Sequence, residues 1–96
     1  MKLVDIKEKI QYIEIAKGKI IAHTDKKNYR IRHKGKFKTL LEELPDNYKM
    51  CSFDCIVDDK LVKEYDFIGN SFTLKTGEKV ELLAKSYNLR DYFLKY

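Results

Sequence analysis

The sequence predicts a mainly β domain, an antiparallel β-sheet carrying one short internal helix and a C-terminal helix. Three features carry that expectation. Short segments in which apolar and polar residues alternate with period 2 recur along the chain. Glycine, asparagine and aspartate separate them at close spacing with no long helix between, which favours hairpin pairing over β-α-β crossovers. One stretch, Phe37 to Leu44, keeps a helical period instead and ends at the chain's only proline, Pro45. A chain of 96 residues holds one modest core, so residues 1–96 are expected to form a single domain.

Lys2 to Ile6 reads as a first strand, with Leu3 and Asp5 on one side and Val4 and Ile6 on the other. Ile10 to Ala16 follows, where Ile13 and Ile15 alternate with Tyr12, Glu14 and Ala16, side chains suited to a pleated surface. Lys17-Gly18-Lys19 interrupts the run with a glycine that tolerates positive φ, and Ile20 to Thr24 resumes it as the return strand of a hairpin. After the turn Asp25-Lys26-Lys27-Asn28, a third strand sets Tyr29, Ile31 and His33 against Arg30, Arg32 and Lys34. Phe37, Leu40, Leu41 and Leu44 fall at i, i+3, i+4 and i+7 and so share one face of a two-turn helix, which Pro45 and Asp46-Asn47 terminate.

From Met50 to Asp58 one central strand is expected, with Cys51, Phe53, Cys55 and Val57 on one face and Ser52, Asp54 and Asp58 on the other. Leu61 to Ile68 then turns at Gly69-Asn70, with glycine at the first central position, and pairs with a strand holding Phe72 and Leu74. Thr76-Gly77 turns the chain again before Val80 to Leu83. Ser86 to Tyr96 reads as a helix that Ser86 caps and that Leu89, Tyr92, Phe93 and Tyr96 give an apolar face.

The net charge is +5, but it is unevenly spread. Nine basic residues and one acid lie between Lys17 and Lys38, whereas Glu42 to Asp66 holds eight acids and three lysines. A basic lobe on a small domain points to a polyanionic partner, most often nucleic acid, the plain alternative being a solvated lysine-rich surface. No apolar run approaches the roughly 18 residues of a membrane span, and the N-terminus lacks the apolar core of a signal peptide. A cytoplasmic protein with no membrane partner is expected.

Cys51 and Cys55, on one face of one strand, would lie roughly 13 Å apart and could not bridge there, so both read as buried free thiols. His23 and His33 have neither metal spacing to those cysteines nor a carboxylate partner at a recognisable spacing, and read as ordinary strand residues. Glu42-Glu43 and Asp58-Asp59 are adjacent pairs read as solvated. Without a phosphate-cradling glycine loop, a nucleophile elbow or a zinc pattern, the sequence predicts no enzyme, no metal and no cofactor.

Several strings, in order and over some 80 residues, resemble the LytTR family, the DNA-binding output domain of many bacterial response regulators. Ile10-Gln11-Tyr12-Ile13-Glu14 resembles the family's Ile-x-Tyr-Ile-Glu, and Ile20 to Thr24 with Asp25-Lys26-Lys27 resembles its second strand and turn. Phe37 to Pro45 is similar to its Leu-x-x-Leu-x-x-x-Leu-Pro helix. Asn47-Tyr48 and Cys55-Ile56-Val57-Asp58 stand where it has an aromatic pair and Tyr-Ile-Val-Asn, and Val80 to Tyr87 where it has Ile-x-Val-Ser-Arg-x-Tyr.

The resemblance implies an antiparallel β domain that inserts loops into successive major grooves of double-stranded DNA. It assigns base-reading groups to the first hairpin loop, to an Arg-x-His-x-Ser segment at the central strand and to the arginine of Val-Ser-Arg. On this chain those places hold Lys17 and Lys19, the segment around Lys49 and Ser52, and Lys85 with Ser86. Lys85 keeps the charge of the arginine but not its bidentate fork. At the middle place Met50, Ser52 and Asp54 replace arginine, histidine and serine, and an aspartate there repels phosphate.

The function expected is sequence-specific or weakly specific duplex binding as a bacterial transcriptional regulator. Two other readings compete: a degenerate LytTR-like protein-interaction or dimerisation module, and a single-strand-binding β domain in which Tyr12, Tyr29 and Tyr48 stack bases. A receiver domain of roughly 120 residues has no room in the chain, so a regulatory protein partner or a free-standing role is expected; the aromatics of the C-terminal helix fit a homodimer surface and core packing equally well.

Overall fold

A computed structural model describes residues 1–66 and 68–82. Its strands are β1 (Ile10–Ala16), β2 (Lys19–Thr24), β3 (Asn28–Ile31), β4 (Tyr48–Ser52), β5 (Cys55–Asp58), β6 (Val62–Asp66), β7 (Ser71–Leu74) and β8 (Lys79–Glu81). They form two antiparallel sheets, a larger one ordered β3-β2-β1-β5-β4 and a smaller one ordered β6-β7-β8. The expected C-terminal helix, Ser86 to Tyr96, lies outside the described residues.

The larger sheet is the middle layer, because alternation along β1 sends neighbouring side chains to two different cores. Tyr12 joins Cys51, Cys55 and Val57 against Phe72, Leu74 and Val80 of the smaller sheet. Ile13, one residue on, joins Ile10, Ala22, Ile31 and Ile56 on the other face, under Leu3 and Leu40. Both faces are therefore covered around β1 and β5.

Five expectations are corrected. Lys2 to Ile6 is not a strand: Leu3–Asp5 is a 3-10 turn in which Ile6 N–H donates to Leu3 O at 3.1 Å and the Asp5 carboxylate accepts from Lys2 N at 3.0 Å. That short-range bond competes with a ladder, and it lets Leu3 bury while Val4 stays in solvent. Phe37–Glu43 is likewise a 3-10 helix rather than two α turns. The Lys36 carbonyl accepts both Thr39 N–H at 3.0 Å and the Thr39 hydroxyl at 2.6 Å, which holds the tighter i to i+3 pattern. Leu40 is buried as the period predicts, while Phe37, Leu41 and Leu44 pack against its cluster.

The third correction concerns Met50 to Asp58, which is a hairpin and not one strand. Met50 pairs with Ile56 and Ser52 with Cys55, so two steps on β4 match one on β5 and Cys51 is the extra residue of a bulge. The bulge resets the alternation and turns both Cys51 and Ser52 inward. The cysteines face each other across the hairpin, the Cys51 thiol donating to Cys55 O at 3.4 Å, and both are free. Burial, with the hydrogen bond to Cys51, pushes the Cys55 thiol well above the ordinary range.

Fourth, Asp58 is 0% exposed and not solvated. It accepts from Asn47 Nδ2 at 2.7 Å and Lys60 N at 3.0 Å, and Lys9 Nζ lies 3.3 Å from its second oxygen. Last, at the turn before β7 the positive φ belongs to Asn70, not to Gly69. A Cβ at Gly69 would lie 2.4 Å from the Asp66 carboxylate that binds its N–H, so that exposed carboxylate would have to shift to admit a side chain.

Candidate nucleic-acid interface

The sheet register gathers one end of the fold into a candidate interface. β1 runs toward Ala16, and Lys17 and Gly18, both at positive φ, return the chain into β2 at Lys19. Two left-handed residues match the right-handed twist of the strands and give a tight, outward tip. β5 pairs antiparallel with β1, Cys55 opposite Glu14, so the Phe53–Asp54 turn comes to the same end. Ile15 N–H donates to Asp54 O at 2.9 Å and fixes that turn against β1. On the other side β2 and β3 pair Ile20 with Ile31, which carries Arg32 to the level of Lys19.

The end of the sheet is asymmetric in charge. Lys17, Lys19, Arg30, Arg32 and Lys34 are all exposed, and among the described residues none of their side chains lies within ion-pair distance of a carboxylate. Beyond β5, Glu14, Asp54 and Glu81 line one small crevice with Ile15, Cys55, Val80 and Leu82. There the Ser52 hydroxyl donates to Asp54 Oδ1 at 2.9 Å and accepts from Asp54 N at 3.3 Å, so the aspartate shapes the turn. Phe53, 58% exposed, stands at its tip.

The residues assigned from sequence are only partly brought together. Lys17 and Lys19 share the β1–β2 tip beside the Phe53–Asp54 turn. Ser52 reaches this end but is 0% exposed, committed to Asp54, and presents no group outward. Lys49 lies back along the β4 edge, opposite Val57, with its Nζ 3.5 Å from Asp59. Lys85 and Ser86 lie outside the described residues; Glu81 and Leu82, which precede them, line the crevice beside Asp54.

Both histidines have the carboxylate partner that sequence spacing hides. His23 Nε2 is 2.6 Å from Glu14 Oε2 and its ring stacks on Tyr12 with centroids 4.1 Å apart. His33 Nε2 meets Thr39 Oγ1 at 2.6 Å and its Nδ1 lies 3.7 Å from Glu43 Oε2, in the segment after β3 and not within a strand. Tyr12, one of the tyrosines considered for stacking, is buried and directs its hydroxyl to Glu78 at 3.3 Å. Arg30, Arg32 and Lys34 belong to the basic lobe recognised in the sequence but were not assigned to the site. Their signal was the basic run itself, which lacked the register that sets it beside the tip.

The geometry defines a class of domain: a β scaffold that collects turns at one end, with cations projecting from the central one. A family model described as the LytTr DNA-binding domain matches residues 1–90, and the chain belongs to that family. Among solved structures it is similar to the LytTr DNA-binding domain of a protein described as a methyl-accepting/DNA response regulator from Bacillus cereus. That likeness has 22% identity and a TM-score of 0.65 and covers 91% of this chain and 79% of the other. It shows a shared fold. No curated protein matches the chain. Among the described residues no helix is long and apolar enough to cross a membrane.

Proposed function

We propose that this chain binds double-stranded DNA as a transcriptional regulator, entering the major groove with the Lys17-Gly18-Lys19 turn. The observation that carries the reading is that turn: two left-handed residues hold two exposed lysines, without an ion-pair partner among the described residues, at the apex of a hairpin. Lysine there meets phosphate oxygens or the acceptors of guanine. Phe53, on the neighbouring turn, offers an apolar surface of the kind that packs on a thymine methyl.

Base reading is weak at the middle place, because Ser52 is buried and Asp54 adds a negative charge. The same burial favours a second reading, a protein-interaction or dimerisation module in which duplex binding has been lost. Titration of an AT-rich duplex at low and moderate salt separates the two. Binding should be saturable, and each phosphate neutralised should add about 0.9 to the slope of log K against log salt. Lys17→Ala and Lys85→Ala should each lower that slope by about one unit. Indifference to both substitutions, or no saturable binding at all, leaves only the interaction module.

A further inference from the structure

The β1–β2 tip accounts for two cations, yet three more without an ion-pair partner among the described residues, Arg30, Arg32 and Lys34, lie beside it. Two shallow depressions meet along the β3 edge of the larger sheet. One, of about 430 Å³, runs from Gly18 and Lys19 past Arg30 to Arg32 and His33. The other, of about 600 Å³, continues from Arg32 and His33 to Lys34 and Lys2, over a floor of Leu3 and Leu40. Arg32 and His33 line both, so the two form one trough leading away from the tip. Among the described residues the only carboxylate lining either is that of Glu43, 3.7 Å from His33 Nδ1. The trough is anchored as well as charged: Arg32 N–H donates to Met1 O at 2.8 Å, tying the exit of β3 to the N-terminal turn.

From this arrangement we infer that Arg30, Arg32 and Lys34 form a phosphate-binding track that grips the DNA backbone on the β3 side of the inserted turn. The inference rests on the duplex-binding reading above and extends it from the tip to the flank. Strands lie about 4.8 Å apart, so β3 is displaced about 7 Å from the centre of the β1–β2 turn. The major groove is about 12 Å wide, and a turn centred in it therefore sets β3 over the groove wall, where the phosphates are. Guanidinium groups match phosphate oxygens bidentately, which suits Arg30 and Arg32 to this place. Contacts of this kind orient the protein and read no sequence. The plainer role for charge on an edge strand is to block pairing with another sheet, and that role has no consequence for DNA.

The test is Arg30→Gln/Arg32→Gln/Lys34→Gln in the full chain, compared with Lys17→Ala/Lys19→Ala, on an AT-rich duplex and on a shuffled duplex of equal length. The triple variant should lower the salt slope by about 2.7, weaken both duplexes by the same factor and leave the melting temperature in place. Arg30→Lys/Arg32→Lys should retain the slope. A triple variant whose slope is unchanged, while Lys17→Ala/Lys19→Ala still weakens binding, overturns the track and leaves the duplex reading standing. A wild-type chain that fails to bind either duplex overturns both. Binding of polyglutamate as tightly as duplex, lost in the triple variant, would assign the trough to an acidic protein instead.

Discussion

The two sides of the β1–β2 turn are built from the same sheet and carry opposite electrostatics. On the β3 side Arg30, Arg32 and Lys34 project without carboxylate partners among the described residues. On the β5 side Asp54 is spent on the Ser52 hydroxyl, Glu14 on His23, and Phe53 is the exposed group. The difference gives the proposed polyanion one preferred way to lie on this end of the fold. Coulomb attraction falls off slowly compared with contact, so under the proposed function the basic flank should steer approach while the acidic one should repel a misplaced backbone. On that reading local charge, and not the net value of the chain, should set the orientation.

The comparison can be broken hardest through the cores beneath each flank. Phe72→Ala removes a fully buried ring that packs under Cys51, Cys55 and Val57, and should cost about 3–5 kcal/mol; Leu40→Ala, under the trough, should cost about 2–5 kcal/mol. Denaturant melts measure the totals. Amide exchange then tells the flanks apart: Phe72→Ala should first expose the Ile15 N–H bonded to Asp54 O, and Leu40→Ala the Arg32 N–H bonded to Met1 O. Equal loss of both protections in both variants would mean that the flanks do not move separately.

Alkaline titration probes the β4 side. Burial, with a smaller contribution from Asp58, pushes Tyr48 from its ordinary value of 10.0 up to about 12, and its hydroxyl donates to Ile10 O at 2.6 Å. A folded value above the unfolded one means that the stabilisation is complete below pH 10 and is lost as pH rises through about 12. Stability should fall across that window by circular dichroism, and Tyr48→Phe should flatten the fall. Tyr12 and Tyr65 are raised by burial in the same direction, so part of the slope should remain in that variant.

Two smaller effects sharpen the contrast. Asp54→Asn removes one negative charge from the acidic flank while keeping an acceptor for the turn. It should tighten duplex binding several-fold at low salt, and the gain should shrink as the ionic strength rises. Lys17→Asn addresses the turn between the flanks: asparagine tolerates the left-handed conformation that Lys17 holds at φ 52. Stability should rise by up to about 1 kcal/mol while the salt slope drops by about one unit, a separation of folding from binding that melting and titration report on one variant.

What could be determined from the sequence alone was local. The alternation of Ile10 to Ala16, the Lys17-Gly18 reversal, the stop at Pro45 and the burial of Leu40 each depend on residues within a few positions, so the chain spells them out. Family membership was legible for the same reason, as short strings in a fixed order. Tertiary structure alone decided the rest. The bulge that hides Ser52 exists because β4 must match β5, the burial of Asp58 needs Lys9 and Asn47, and Arg32 reaches the level of Lys19 only through the register of β3 on β2. Pairing partners distant in sequence set register, and register decides which of many similar surface charges stand side by side.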